Sequence, residues 1–526
     1  MSERTRPSGQ SSDDRAGSTA PTANGHGRVD PTGVANLDVV LGGGLTQGAL
    51  ALIVGPPGSG KTTLANQLAF AAGRTGRRAA VVSAMSEPTG KLIAHLRTFD
   101  FYDESLVGDR IQYFSLEQYL PAGLPTASEA LIDMARKARA DVVVLDGFRG
   151  VRGVDMDFQA ARQFLYDVGA TLSVFGMTTI ITSEADPRDP AFFPESTTAD
   201  IIIGLHYDLV GVQQRRALEV IKMRGAQPLG GLHGIHLNHE GLTIYPRLAS
   251  RVSTRTEASE LDAAMVEQAR LEASQVSSRV SLGIPELDAL VGGGLTRGSS
   301  TLVVGSLGTG KTLLALHFAV AGLRAGEPTV YLGFRETLTQ LLQKAGPFDL
   351  GHEILAGMRP TGLMTLQHWA PVELNPDIVA DRLVATLDQV GARRLVIDSV
   401  AELENAIAES GDPRRIDSYL GSILEALRQR DITALFVREH HTTIATRMEL
   451  TPGALGVLAE NVLLLQHIED SGALHRVLSV VKMRLSAHDA LLHDFVIRAP
   501  AGIQLLDQRH TSEHDPARSN NDTDHD

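Results

Sequence analysis

The chain has 526 residues, with 48 Lys and Arg against 62 Asp and Glu, a formal net charge of −14 and no cysteine. Disulfides, iron–sulfur clusters and thiolate zinc sites are excluded, and the acidic balance disfavours broad electrostatic binding to DNA or anionic lipid. The 43% hydrophobic fraction suits globular cores, while no apolar run reaches the ~18 residues of a membrane span and no apolar leader follows the first residues, so a cytoplasmic protein of two or three domains is expected.

Within 1–28, residues 2–28 hold Ser, Thr, Gly, Asp, Arg and Pro in place of large apolar side chains. Such a segment cannot bury enough surface to offset its ordering entropy, and a disordered tail is expected. A first domain is expected over 29–248. Its first apolar strand is Leu50–Val54, which runs into Gly55-Pro56-Pro57-Gly58-Ser59-Gly60-Lys61-Thr62-Thr63 and then a helical pattern. This is the phosphate-binding template GxxxxGK[ST] in its strand–loop–helix setting. Gly55, Gly58 and Gly60 let backbone N–H groups close around phosphate oxygens, with Ser59 and Thr63 in the same cradle, and the helix N-terminus adds partial positive charge. Lys61 is placed for the β- and γ-phosphates of ATP, and Thr62 for a hydroxyl on Mg²⁺.

The next strand, Ala80–Val82, is followed by Ser86-Glu87, which makes Glu87 a candidate base for an attacking water. Val142–Asp146 is a buried strand that ends in a carboxylate, the second Mg²⁺ ligand. The loop after Ser183 carries Phe192 and Phe193 but is net negative, which argues against a channel loop that tracks a nucleic-acid strand. The triplet Lys222-Met223-Arg224 follows, then His233–Tyr245, which reads as a hairpin turning at Glu240-Gly241. Its three histidines, His233, His236 and His239, cannot share a metal ion, because positions three apart face opposite sides and positions six apart lie ~20 Å apart. A linker is expected over 249–278, with Arg255–Gln275 a short amphipathic helix on the surface.

The plan then repeats over 279–507, with Lys311 standing 250 residues after Lys61 and Asp398 standing 252 after Asp146. Thr301–Val304 leads into Gly305-Ser306-Leu307-Gly308-Thr309-Gly310-Lys311-Thr312. Gly305, Gly308, Thr309, Gly310 and Leu313 form the second cradle, Lys311 reaches phosphate and Thr312 holds Mg²⁺. Thr329–Leu332 precedes Arg335-Glu336, with Glu336 the candidate base, and Leu395–Asp398 supplies Asp398 for Mg²⁺. The loop after Asp398 is acidic, and Lys482-Met483-Arg484 mirrors the first triplet. Residues 508–526 read as an acidic disordered tail. Apolar strands alternating with helical segments in each copy predict an α/β fold with a mostly parallel sheet flanked by helices.

These marks together resemble the KaiC family of circadian-clock ATPases, within the RecA superfamily. The resemblance covers about Asp30 to Asp507. It rests on the Gly-Gly-Gly-Leu approach to each loop (Gly42–Leu45 and Gly292–Leu295), the paired P-loops and the two Lys-Met-Arg triplets. It implies two tandem RecA-like P-loop NTPase domains, ATP and Mg²⁺ at subunit interfaces, a homo-hexamer with two tiers of sites, and signalling partner proteins in other chains. It also implies that Lys222, Arg224, Lys482 and Arg484 enter the neighbouring subunit's nucleotide site, where a cation supplied in trans is worth about 10³–10⁵ in rate.

Two departures from the family pattern carry expectations of their own. The family's adjacent glutamates become Ser86-Glu87 and Arg335-Glu336; if the first of each pair is the usual base, either hydrolysis is slow or the base has moved by one residue, a shift that on a strand turns the side chain to the other face. The positions of the family's autophosphorylated Ser-Thr pair fall on Gly456 and Val457, which have no hydroxyl, so no phosphorylation is expected there. The expected function is an ATP-binding and ATP-hydrolysing clock-type signalling protein. Competing readings are a DNA-dependent motor or recombinase on the same fold, a slow-hydrolysing nucleotide-dependent scaffold, and a Ser/Thr autokinase that uses a displaced acceptor such as Thr442, Thr443 or Thr451.

Overall fold

Both P-loop strands are apolar or small at every position, LALIVG over Leu50–Gly55 and STLVVG over Ser300–Gly305, and every residue of both is buried. A strand of this kind is covered on both faces. Ala51 and Ile53 join one core with Leu64 and Leu68 of the P-loop helix Lys61–Arg74. Leu50, Leu52 and Val54 join a second core on the opposite face, with Leu131 of helix Leu124–Ala138 and Leu165 of helix Phe158–Val174. The same split recurs around Val303 on one side and Leu302 and Val304 on the other.

A computed structural model describes residues 28–84, 88–148, 158–188, 195–210, 212–256, 278–359, 361–410, 412–439, 453–470, 473–484, 486–489 and 491–506. It contains two nine-stranded sheets. In spatial order the first runs Gly241–Tyr245, His233–Asn238, Gln213–Met223, Ile201–Val210, Leu50–Gly55, Thr178–Glu184, Val142–Asp146, Ala79–Ser83, Ile111–Ser115. The last six of these are parallel neighbours, and the first three are added antiparallel. The second sheet has the same plan, with Ser300–Gly305 between Thr433–Glu439 and Asn461–Asp470. The fold is α/β, two tandem RecA-like domains with helices on both faces of each sheet. The tails, residues 1–27 and 507–526, lie outside the described residues. No helix among the described residues is long and apolar enough to cross a membrane.

The predicted strands appear within a residue or so of their expected ends, and the His233–Asn238/Gly241–Tyr245 hairpin is present. His233 is buried, its Nδ1 accepting from the Arg247 N–H and its Nε2 lying 3.0 Å from the Leu229 carbonyl, while His236 faces solvent.

The link between the copies opens with a helix that the sequence reading did not include. A helix begins at Leu248 and runs to Thr256. It docks on the second domain. Leu248 is buried in that domain's core with Val252 packed beside it, and Arg251 reaches Asp381 at 3.1 Å. Leu248 and Val252 are one turn apart, an apolar pair on one helix face. The expected segment Arg255–Gln275 falls almost wholly on residues outside those described.

One buried histidine makes the second domain acid-sensitive. His317, on the P-loop helix Lys311–Arg324, has no hydrogen-bond partner at Nε2. Burial draws its pKa down to about 4. A histidine depressed from about 6.5 contributes stability that is complete above that pH and is lost as pH falls towards 4. Between pH 7 and 4.5 the wild type should lose about 2–3 kcal/mol more than His317→Leu, read from denaturant midpoints at the two pH values. Parallel loss in both proteins would show that His317 is not the group responsible.

Candidate nucleotide sites

Each P-loop leaves the C-terminal end of its strand at a position with no room for a side chain. A Cβ on Gly55 would lie 2.4 Å from the Leu205 carbonyl oxygen, and one on Gly305 2.4 Å from that of Leu465. Gly60 and Gly310 stand at φ of 102° and 95° just before their helices, a backbone that L side chains rarely adopt. The loops therefore close tightly over the helix N-termini. Ser59 and Thr309 are fully buried, and the Ser59 and Ser306 hydroxyls lack a protein partner. Lys61 Nζ donates to the carbonyls of Gly55 and Pro56 at 2.9 and 3.0 Å, and Lys311 Nζ to that of Ser306 at 2.6 Å. Burial lowers both lysine pKa values, offset at Lys61 by Glu184 and Asp146 and at Lys311 by Glu439 and Asp398.

The structure brings each Thr–Asp pair together. Thr62 Oγ1 donates to Asp146 at 3.0 Å and Thr312 Oγ1 to Asp398 at 2.8 Å. Each pair offers a carboxylate and a hydroxyl beside the phosphate loop, the oxygen donor set that Mg²⁺ takes alongside substrate phosphates. The second anchor of the aspartate differs between the sites. Thr182 donates to Asp146 at 2.5 Å, whereas the Tyr331 hydroxyl donates to Asp398 at 2.9 Å. Burial pushes the Asp398 carboxyl up, against the opposing bonds from Thr312 and Tyr331. Around these groups lie cavities of about 380 Å³ in the first domain and 530 Å³ in the second, within the range of small-molecule sites.

The candidate bases fare differently. Glu87 lies outside the described residues. Glu336 lines the second cavity, ion-paired with Lys344, and its other carboxylate oxygen is buried without a partner. The expectation that residues 335 and 336 face opposite ways is not met. The strand stops at Gly333, so its alternation ends there, and Arg335 and Glu336 both line the cavity. Arg335 donates to Glu402 at 2.6 Å and to Glu439 at 2.8 Å.

The cationic triplets lie at the other end of each sheet. Lys222 pairs with Ile202, which stands level with Leu52; Arg224 bonds the Asp200 carbonyl, and Asp200 in turn bonds that of Leu50. Lys482 pairs with Val462, level with Leu302, and Arg484 is linked through Glu460 to Ser300. These are the starts of the P-loop strands, not the ends that carry the loops. Strand spacings put the Lys482 backbone about 14 Å from Gly305, and Arg484 further, beyond the reach of a side chain. Lys482 Nζ closes the end of helix Gly453–Leu458, donating to the carbonyls of Gly456, Val457 and Ala459 at 3.2, 3.0 and 2.7 Å, and Arg484 adds a 3.1 Å bond to that of Val457. Arg224 pairs with Asp200 at 3.2 Å. Near the end of strand Thr433–Glu439, Arg438 is bound to Glu404 at 3.1 Å; Arg149, Arg152 and Arg447, basic residues of other loops, lie outside the described residues.

The family model described as ATPase: KaiC matches residues 30–249 and again 280–510. The chain belongs to the KaiC family. It is 25% identical to the circadian clock oscillator protein KaiC of Picosynechococcus sp., over 91% of this chain and 90% of that one. Identity to the KaiC of Thermostichus vulcanus is 26% over the same shares, and to that of Prochlorococcus marinus 24% over 89% and 90%. Both KaiC-type ATPase domains are thus present in tandem, as the sequence resemblance implies. Sequence reasoning does not single out Thr182, Tyr331 or Glu439. Each reaches its site only because the sheet order sets its strand beside another.

Proposed function

We propose that this KaiC-family chain is a clock-type signalling ATPase that binds ATP with Mg²⁺ at both P-loops, each nucleotide lying between subunits of a cytoplasmic homo-hexamer, and that it lacks the Ser/Thr phosphorylation cycle. The observation that carries the reading is the separation of loop and triplet. Each subunit bears a phosphate cradle at one end of its sheet and a pair of cations at the other. One chain cannot bring them together, and a head-to-tail ring can.

On this reading Lys61 and Lys311 exchange their carbonyl partners for phosphate oxygens. Thr62 with Asp146, and Thr312 with Asp398, would hold Mg²⁺, which would supply neutralisation of phosphate charge. Glu87 and Glu336 orient the attacking water, Glu336 once Lys344 releases it. Lys222, Arg224, Lys482 and Arg484 of one subunit stabilise charge at the next subunit's site. Signalling partners are other proteins. Paired Arg438 and net-negative loops give DNA little to bind.

The kinase reading is tested directly. After incubation with γ-labelled ATP and Mg²⁺, without DNA, the label should appear in free phosphate and not on the protein. Gly456 and Val457 sit where their carbonyls take Lys482 and Arg484, and neither side chain can accept a phosphoryl group. Stoichiometric phosphate mapped to residues 450–460 would overturn this.

A further inference from the structure

We infer that Arg335 makes the second nucleotide site selective for a triphosphate over a diphosphate, by exchanging its Glu439 partner for the terminal phosphate. The inference rests on the reading that the second P-loop binds nucleotide. Arg335 shares one cavity with Lys311, Thr312, Asp398, Glu336 and Glu439. Its two acidic partners are built into the wall. Glu439 closes the strand beside the P-loop strand, in register with Gly305, and Glu402 lies in the first turn of helix Val400–Glu409. Their side chains are 17% and 10% exposed, against 56% for Arg335. The arginine is therefore the member free to move.

Its path fixes what it can meet. Gly333, Asp398 and Val437 stand side by side in register on three adjacent strands. Arg335 starts beyond the first and reaches Glu439 beyond the third, so its guanidinium passes in front of the strand end that carries Asp398. A phosphate chain cradled by Lys311 and the helix N-terminus, with Thr312 and Asp398 to hold Mg²⁺, would extend its last phosphate towards that point. A guanidinium binds phosphate through two parallel N–H donors and stays charged whatever its surroundings. A diphosphate leaves Arg335 on Glu439 and Glu402; a triphosphate offers it a more highly charged acceptor. The first domain has Ser86 at this sequence position and so no equivalent cation. The second site accordingly holds ATP in preference to ADP.

The test is equilibrium binding of labelled ATPγS and labelled ADP to the full chain with Mg²⁺. Lys311→Ala identifies the component that belongs to the second site. Arg335→Gln should weaken that component for ATPγS about 10- to 100-fold, the worth of a hydrogen-bonded charge pair, and change ADP affinity by less than about threefold on the same scale. Arg335→Lys should restore part of the preference, and Glu439→Gln, which removes the competing carboxylate, should raise ATPγS affinity. Equal losses for both nucleotides in Arg335→Gln would mean a merely structural arginine, and unchanged affinities would mean no role; either overturns the inference. Identical binding by wild type and Lys311→Ala would overturn the second nucleotide site itself, and the role of Arg335 with it.

Discussion

A chain in which Lys222, Arg224, Lys482 and Arg484 are all replaced by alanine should still bind ATP but turn it over about 10³-fold more slowly or worse, the range for losing a cation supplied in trans. Mixing should undo the loss. A second variant, Lys61→Ala with Lys311→Ala, keeps the triplets and loses both cradles. Each variant alone turns over slowly or not at all, yet in a mixed ring an intact cradle of the first can stand beside an intact triplet of the second. Turnover in the mixture should rise well above the sum of the separate rates, and should do so only when the two are disassembled and reassembled together. The geometry behind this is the separation of each triplet from its own loop, with Lys482 level with Leu302 and the loop leaving at Gly305. Lys482 and Arg484 also hold the carbonyls at the end of helix Gly453–Leu458, and their loss costs about 1 kcal/mol of local stability per bond, so it is the recovery on mixing, and not the loss of rate alone, that separates a role in trans from local destabilisation. Rates that merely add on mixing would place catalysis within one chain and refute the trans arrangement.

How much of this was legible beforehand follows from how far apart in sequence the contributing residues lie. The P-loops read directly because the template is contiguous, and strand, loop and helix start are fixed by neighbouring residues. Asp146 and Asp398 read almost as well, each a carboxylate at the end of a run too apolar to be anything but a buried strand. Thr182 and Tyr331 leave no such trace. Each sits inside a buried strand, and its hydroxyl matters only because that strand lies next to the one that ends in the aspartate. The two copies even use different strands for the purpose, so the repeat itself gives no hint. Arg335 was visible as a departure from the family pattern, but its direction was not. Strand alternation places residues 335 and 336 on opposite faces, and the chain leaves the strand at Gly333 before that rule can apply. The docked helix Leu248–Thr256 was hidden for another reason. Only Leu248 and Val252 mark its apolar side, and the surface that covers them comes from helices Pro376–Val390 and Arg415–Arg428, far along the chain.

Arg394→Leu should destabilise the second domain by about 3–5 kcal/mol, the cost of breaking a buried ion pair from one side. Arg394 is 2% exposed. Its Nε donates to Glu327 at 2.6 Å, its Nη1 to the carbonyls of Ser281 and Phe318 at 2.7 and 2.9 Å, and its guanidinium lies 4.8 Å from the centre of the Phe318 ring. Leucine would leave two carbonyls without their donor and Glu327 with Arg297 alone. Glu327→Leu added to Arg394→Leu should recover part of the loss, because an apolar pair no longer buries an uncompensated charge. The only tryptophan, Trp369, packs against the second domain's core, so its fluorescence in denaturant reports this domain and not the first. Phe318 belongs to the helix that starts at Lys311, which ties the arginine to the phosphate cradle; second-site nucleotide binding should weaken as the Trp369 transition moves to lower denaturant. A shift of less than about 1 kcal/mol, within the range of an exposed pair, would mean that Ser281, Phe318 and Glu327 find other partners and that the P-loop helix does not depend on this arginine.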